Sequence, residues 1–86
     1  MPDPQIDITV IVNGQPTVVR ANPSAPLLTV IPKALEQTHT TGQPPENWEL
    51  NYEGKVLDPA QKIESFQFPA GAQLFLNLKA GIGGGA

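Results

Sequence analysis

Apolar and polar residues alternate along three segments of the chain, the pattern of strands with one buried face. The segments are Ile6–Val12, Trp48–Tyr52 and Gln73–Lys79. Asn13-Gly14 follows the first segment and favours a tight hairpin, because both residues tolerate positive φ. Thr17–Ala21 is therefore predicted to return as a second strand. A turn at Glu53-Gly54 predicts a further short strand at Lys55–Leu57.

Helical spacing of apolar residues is seen at Leu27, Val30, Ile31, Ala34 and Leu35. Pro32 interrupts this pattern, since a proline inside a helix costs about 3 kcal/mol. We expect an irregular or kinked first turn and regular helix from Pro32 to Thr38; the alternative is a loop up to Pro32 and a shorter helix after it. Ser24 is the candidate N-cap and Gly42 the candidate left-handed stop. Lys62–Phe66 is predicted to form one further helical turn.

The order of these elements predicts a two-layer α+β domain, and composition limits what such a domain does. The chain has 86 residues, no cysteine and one histidine, His39. A thiolate metal site or cysteine nucleophile is therefore excluded, and a histidine-based site is disfavoured. A net charge of −3 without a basic cluster gives little support for nucleic-acid binding. So small a domain also buries too little core for a deep active site, which favours a binding or carrier protein over an enzyme.

Both ends of the chain differ from its body. The start, MPDPQID, lacks the features of a signal peptide, and no apolar run is long enough to span a bilayer. We therefore expect a cytoplasmic protein with no membrane contact, monomeric on its own. Four of the eight glycines fall in the last six residues. The predicted division is a flexible N-terminus at 1–5, a folded domain at 6–79 and a flexible glycine-rich tail at 80–86.

The central part of the sequence resembles ubiquitin. The matching residues are Gly42, Pro44, Pro45, Glu46, Leu50, Tyr52, Gly54, Lys55, Leu57 and Asp58. Ile63, Phe66 and Phe68 follow in register, and Leu74, Leu76 and Leu78 match the last strand of ubiquitin. The resemblance covers roughly residues 6–85 and is strongest to bacterial ubiquitin-like proteins. It implies a β-grasp fold, in which a mixed sheet of four to five strands wraps on one helix.

The resemblance also implies a function for the tail. In this family an E1-like enzyme uses ATP to activate the C-terminal glycine carboxylate, and an E2-like enzyme passes it to a target amine as an isopeptide bond. The modifier itself is no enzyme and binds no cofactor. Glycine suits such a tail because the enzymes thread it through a narrow channel. Gly84 and Gly85 are the residues expected to be conjugated, with Gly83 in contact with partners. Bacterial systems of this kind are associated with antiviral defence.

The chain departs from the family at Ala86, which follows the glycines. We expect a deubiquitinase-like peptidase to cut after Gly85. Because several glycines adjoin, cleavage after Gly84 is an alternative. A further alternative is that Ala86 is a cloning remnant or an extra residue that the enzymes tolerate. Two other functions remain. One is a sulfur carrier with a C-terminal thiocarboxylate, and the other is a β-grasp interaction module that is never conjugated.

A further departure concerns the surface. Ubiquitin presents an apolar patch on its third and fifth strands, whereas the matching positions here are the polar Asn51 and Asn77. Phe75 is expected to be the only large apolar residue on that face. Phe75, Asn51 and Asn77 are the expected partner contacts there. Lys79 matches an arginine that aids E1 recognition, and Lys55 matches a chain-linking lysine.

Overall fold

Five strands form one mixed sheet in the computed structural model, which describes residues 5–79. The strands are β1 (Ile6–Val12), β2 (Gln15–Ala21), β3 (Trp48–Tyr52), β4 (Lys55–Val56) and β5 (Gln73–Leu78). Their order is β2-β1-β5-β3-β4. The central pair β1 and β5 is parallel, and the other pairs are antiparallel. This arrangement confirms the predicted α+β class. The predicted boundaries at residues 5 and 79 stay a prediction, since residues 1–4 and 80–86 lie outside the described part.

The alternating pattern located the strands to within two residues. The hairpin turn lies at Asn13-Gly14, with φ of 51° and 82°. β2 begins two residues before its predicted start, and Pro16 lies at that end of the strand opposite Ile11. A proline is tolerated near the start of an edge strand because the missing N–H faces outward.

Helix α1 spans Val30–Gln37 and follows a short 3-10 turn at Leu27–Thr29. The predicted irregular first turn is therefore confirmed. Pro32 is the third residue of α1, where a backbone N–H has no partner within the helix in any case. The helix thus begins two residues before Pro32 and accommodates it without a lost hydrogen bond.

The predicted helix caps were wrong at both ends. The residues that precede the 3-10 turn and α1 are Pro26 and Thr29. Ser24 instead donates its backbone N–H to Asn22 Oδ1 over 2.8 Å, which forms a turn before the helix. At the other end His39, with φ of 55°, is the left-handed residue.

Two backbone hydrogen bonds form at the C-terminal end of α1. Thr40 N–H donates to the Leu35 carbonyl over 2.9 Å, and His39 N–H donates to the Glu36 carbonyl over 3.1 Å. This pair of hydrogen bonds is the Schellman arrangement. Gly42 also has positive φ, but it comes after the chain has already left the helix.

The start of the helix is fixed to the segment before β5. Leu27 N–H and Leu28 N–H donate to the carbonyls of Gln61 and Pro59, each over 2.9 Å. The predicted helical turn at Lys62–Phe66 is a 3-10 turn at Ile63–Phe66. These bonds hold the loop at residues 59–63 beside the first turn of α1.

The core lies between the helix and the inner face of the sheet. Its fully buried aliphatic side chains are Val10, Val12, Val19, Leu27, Val30, Ile63, Leu74 and Leu76. Phe66, Phe68 and Tyr52 pack against its edge, with ring centroids 5.2 Å and 5.3 Å apart in the two neighbouring pairs. Trp48 is also part of the core, as its alternation predicted. Among the described residues, no polar or charged side chain is buried.

Candidate functional site: the outer sheet face and the end of β5

Phe75 lies in the middle of a row of side chains that crosses the outer face of all five strands. It is opposite Ile11 on β1 and opposite Asn51 on β3. Ile11 is in turn opposite Pro16, and Asn51 is opposite Val56. Phe75 is 45% exposed and Val56 is 60% exposed. The row is therefore an open surface with apolar side chains on both sides of Asn51.

The expectation that Phe75 is the only large apolar residue on this face was wrong. Val56 on β4 and Val18 on β2 are both more exposed than Phe75. Strand register places them outward, because Val18 pairs with Thr9 and Val56 pairs with Asn51. The prediction compared only the third and fifth strands, so it missed the edge strands.

Polar side chains continue along β5 from Phe75 towards its end. Asn77 is exposed and lies opposite Glu49 of β3. The structure therefore brings Asn51, Phe75 and Asn77 together on one face, as predicted. Their role in partner binding stays a prediction.

Lys79 is the last described residue, and its backbone is tied to the sheet. Its N–H donates to the Asn47 carbonyl over 2.9 Å, while its side chain is exposed. The described chain is thus held to the sheet as far as Lys79, the residue before the predicted tail. The predicted conjugation, processing and threading residues, Gly83, Gly84, Gly85 and Ala86, lie outside the described residues.

Lys55 lies on the edge strand β4, opposite Tyr52, with an exposed side chain. It is separated from Phe75 by β3, so a partner on the row has room to leave Lys55 accessible. Its suggested use in chain linkage stays a prediction.

A groove near Lys79 was missed by sequence reasoning. It has a volume of about 320 Å³ and apolar walls formed by Leu28, Ile31, Pro32, Pro45, Trp48 and Pro59. Glu46 and Lys79 complete its lining. One signal was present, since Leu28 falls outside the apolar series that marks the buried face of the helix. The lining residues, with Lys79 included, come from four separate segments, so no local sequence pattern could indicate the groove.

The described residues offer no grouping for metal chemistry. Between residues 5 and 79, no three His, Cys, Asp or Glu side chains lie close enough together to hold a metal ion. In the same range no helix has the length and apolar content needed to cross a membrane.

Solved structures similar to this chain are ubiquitin-like. A protein designed de novo on the basis of ubiquitin has a TM-score of 0.74 and 25% identity, covering 95% of this chain and 96% of its own. Ubiquitin of Caldiarchaeum subterraneum has a TM-score of 0.71 and 22% identity, covering 92% and 99%. A structure titled as molecular mimicry of SUMO that promotes DNA repair has a TM-score of 0.73 and 14% identity, covering 91% and 96%. The predicted β-grasp fold is confirmed.

A sequence relative and a family profile complete the comparison. Uncharacterized protein y4jI of Sinorhizobium fredii (strain NBRC 101917 / NGR234) is 53% identical over 81 residues, or 93% of this chain. The chain spans 62% of the length of that relative. The profile described as Protein of Unknown function (DUF2604) matches residues 1–84. The chain therefore belongs to the DUF2604 family and has the ubiquitin-like β-grasp fold.

Proposed function

We propose that this chain is a ubiquitin-like protein modifier, joined to target amines through the carboxylate of Gly85. One observation carries the proposal: in a ubiquitin-like fold, the sequence has three consecutive glycines, residues 83–85, shortly after the last strand, which ends at Leu78. In such a fold this is the position of the reactive end. Glycines there combine reach with a narrow cross-section, which suits a segment that enters an enzyme channel.

The proposed reaction begins with hydrolysis of the Gly85–Ala86 bond by a partner peptidase. Water supplies the oxygen of the new Gly85 carboxylate, and the amine leaves with Ala86. An E1-like enzyme then joins the carboxylate to the α-phosphate of ATP, which releases pyrophosphate and leaves an acyl adenylate. A nucleophile of the enzyme displaces AMP. After transfer to an E2-like enzyme, a target amine attacks the carbonyl carbon, and the enzyme nucleophile leaves as the amine loses a proton.

This chain supplies the acyl group, and its partners supply the catalysis. ATP is consumed by the E1-like enzyme, so no cofactor is assigned to the modifier. We propose that the row centred on Phe75, together with Asn77 and Lys79, is the surface by which those enzymes recognise it. An exposed aromatic ring flanked by polar groups is a common anchor of such interfaces. Because ATP and the partner enzymes are needed, we expect conjugation in the cytoplasm.

The proposal has a direct test in the native organism. A tagged chain is purified under denaturing conditions and digested with trypsin. Because Lys79 is the last basic residue, trypsin leaves residues 80–85, AGIGGG, as a branch on each modified lysine. A branch that ends one glycine earlier would place the cut after Gly84. The matched control carries Gly84→Val and Gly85→Val and should yield no branch.

The same experiment separates the competing functions. Cells are compared before and after phage challenge, and the defence role predicts more branched peptides after challenge. A sulfur carrier would instead show an intact mass in which sulfur replaces one terminal oxygen. If neither appears and the double valine variant retains its cellular activity, the chain is an interaction module and the modifier proposal is wrong. If branched peptides are found, a branch on Lys55 of this chain would identify chain linkage.

A further inference from the structure

An uncovered apolar groove lies beside the point where the described chain ends. Its walls come from the 3-10 turn before α1, the first turn of α1, the turn at residues 45–47, Trp48 and the loop at Pro59. Leu28 contributes to these walls and is 47% exposed. An apolar concavity of this size is the usual form of a binding site. Nothing among residues 5–79 fills it.

Trp48 supplies a second observation at the groove. Its side chain is only 4% exposed, yet Nε1 is buried with no hydrogen-bond acceptor among the described residues. Buried indole N–H groups normally have a partner, because an unpaired donor away from water is destabilising. The Trp48 ring therefore forms part of the groove wall, while its unpaired N–H lies beneath the surface.

One large aliphatic side chain follows Lys79 in the sequence. Lys79 lines the groove and its N–H donates to the Asn47 carbonyl, so the described chain ends beside the groove. The sequence then reads Ala80-Gly81-Ile82 followed by Gly83, and Ile82 is the only side chain larger than methyl after Lys79. Three residues span about 10 Å when extended. Glycine on either side of Ile82 permits the backbone to turn back towards the groove.

We propose that the groove binds Ile82 of the same chain, with its aliphatic side chain against the Trp48 ring and Leu28. The occupant is aliphatic, as the walls require. The net charge of the lining, Glu46 and Lys79, is zero, which matches an uncharged segment. The proposal is independent of conjugation, although a docked Ile82 would compete with entry of the glycines into an enzyme.

The test uses the complete chain and its single tryptophan, which gives one indole N–H resonance. We expect nuclear Overhauser contacts between the Ile82 methyl groups and the Trp48 ring. In Ile82→Ser the indole resonance should shift, because the aliphatic side chain beside the ring is lost. Leu28→Ser, on the exposed groove wall, should also shift it. Val18→Ser is the matched control, because Val18 is exposed but lies outside the groove.

Three outcomes would overturn the proposal. The first is an indole resonance that is unchanged in Ile82→Ser. The second is the absence of contacts between Ile82 and Trp48 in the complete chain. The third is an indole shift that changes on dilution of the wild-type chain, since this would assign the groove to the tail of a second copy.

Discussion

Phe75 lies directly opposite Asn51 where β5 pairs with β3, so an exposed aromatic ring and an amide share the centre of the outer sheet face. Directly opposed side chains in an antiparallel pair have Cβ atoms about 5 Å apart. A partner that covers the ring therefore also meets the amide. The pair combines apolar contact with hydrogen bonding, unlike a wholly aliphatic patch, and it directs the first prediction.

Phe75→Ser is expected to slow formation of the adduct between the trimmed chain and the proposed E1-like enzyme by about thirtyfold. A central aromatic anchor commonly contributes about 2 kcal/mol to an interface, and 1.4 kcal/mol corresponds to tenfold. Single-turnover assays with ATP measure the rate. Val18→Ser is the control, because Val18 is exposed on the same face but lies two strands away. Equal rates for the two variants would remove Phe75 from the recognition surface.

Leu74 and Phe75 are neighbours that face opposite sides of the sheet, so substitutions at the two positions should have different effects on the free energy of unfolding. Leu74 is fully buried, and Leu74→Ala is expected to lower the free energy of unfolding by about 2–5 kcal/mol. Phe75→Ala should lower it by about 1 kcal/mol, because much of that ring is already in water. Urea denaturation followed by circular dichroism compares them. A reversed order would mean that the register of β5 is wrong.

Strand positions could be predicted because a half-buried sheet imposes a period of two on its residues. Leu74, Leu76 and the buried residues of β1 follow that period without exception. The sequence also indicated the outward direction of Phe75. It did not indicate that Val18 and Val56 lie on the same face as Phe75, because their positions depend on which strands pair.

Helix ends and the groove were harder to predict for a related reason. The left-handed residue after α1 is His39, although Gly42 has the lower intrinsic cost, because packing of Leu35 and Ala34 decides where the chain must turn. The groove is formed by segments that are distant along the sequence. Only the tertiary fold brings Leu28, Pro45 and Pro59 together.

Replacement of Pro32 is expected to have little effect on stability, although the residue lies within α1. It occupies the first turn, where its missing N–H removes no helical hydrogen bond. Pro32→Ala should therefore change the free energy of unfolding by less than about 1 kcal/mol. Glu36→Pro, at an exposed position one turn later, should lower it by about 3 kcal/mol or more. Comparable losses in urea denaturation would contradict the helix start at Val30.

His39→Gly is expected to stabilise the fold by about 0.5–1 kcal/mol. His39 has a φ of 55°, and glycine adopts this conformation without the steric cost of a Cβ atom. Thr41→Gly is the control, because Thr41 is exposed and has no positive φ; added chain entropy should make that variant slightly less stable. Thermal unfolding distinguishes them, and stabilisation by both changes or by neither would argue against strain at His39.

Lys79 is expected to act through its charge at the start of the tail and to leave stability unchanged. Its backbone bond to Asn47 does not depend on the side chain, which is exposed. Lys79→Ala should therefore alter the free energy of unfolding by less than about 0.5 kcal/mol while it slows adduct formation with the activating enzyme. Lys79→Arg should retain the rate, because it keeps the positive charge. Lys62→Ala, which removes an exposed lysine far along the chain from the tail, controls for net charge. Slow adduct formation by Lys79→Arg, or an equal loss of rate in Lys62→Ala, would show that the enzyme does not recognise a positive charge at this position.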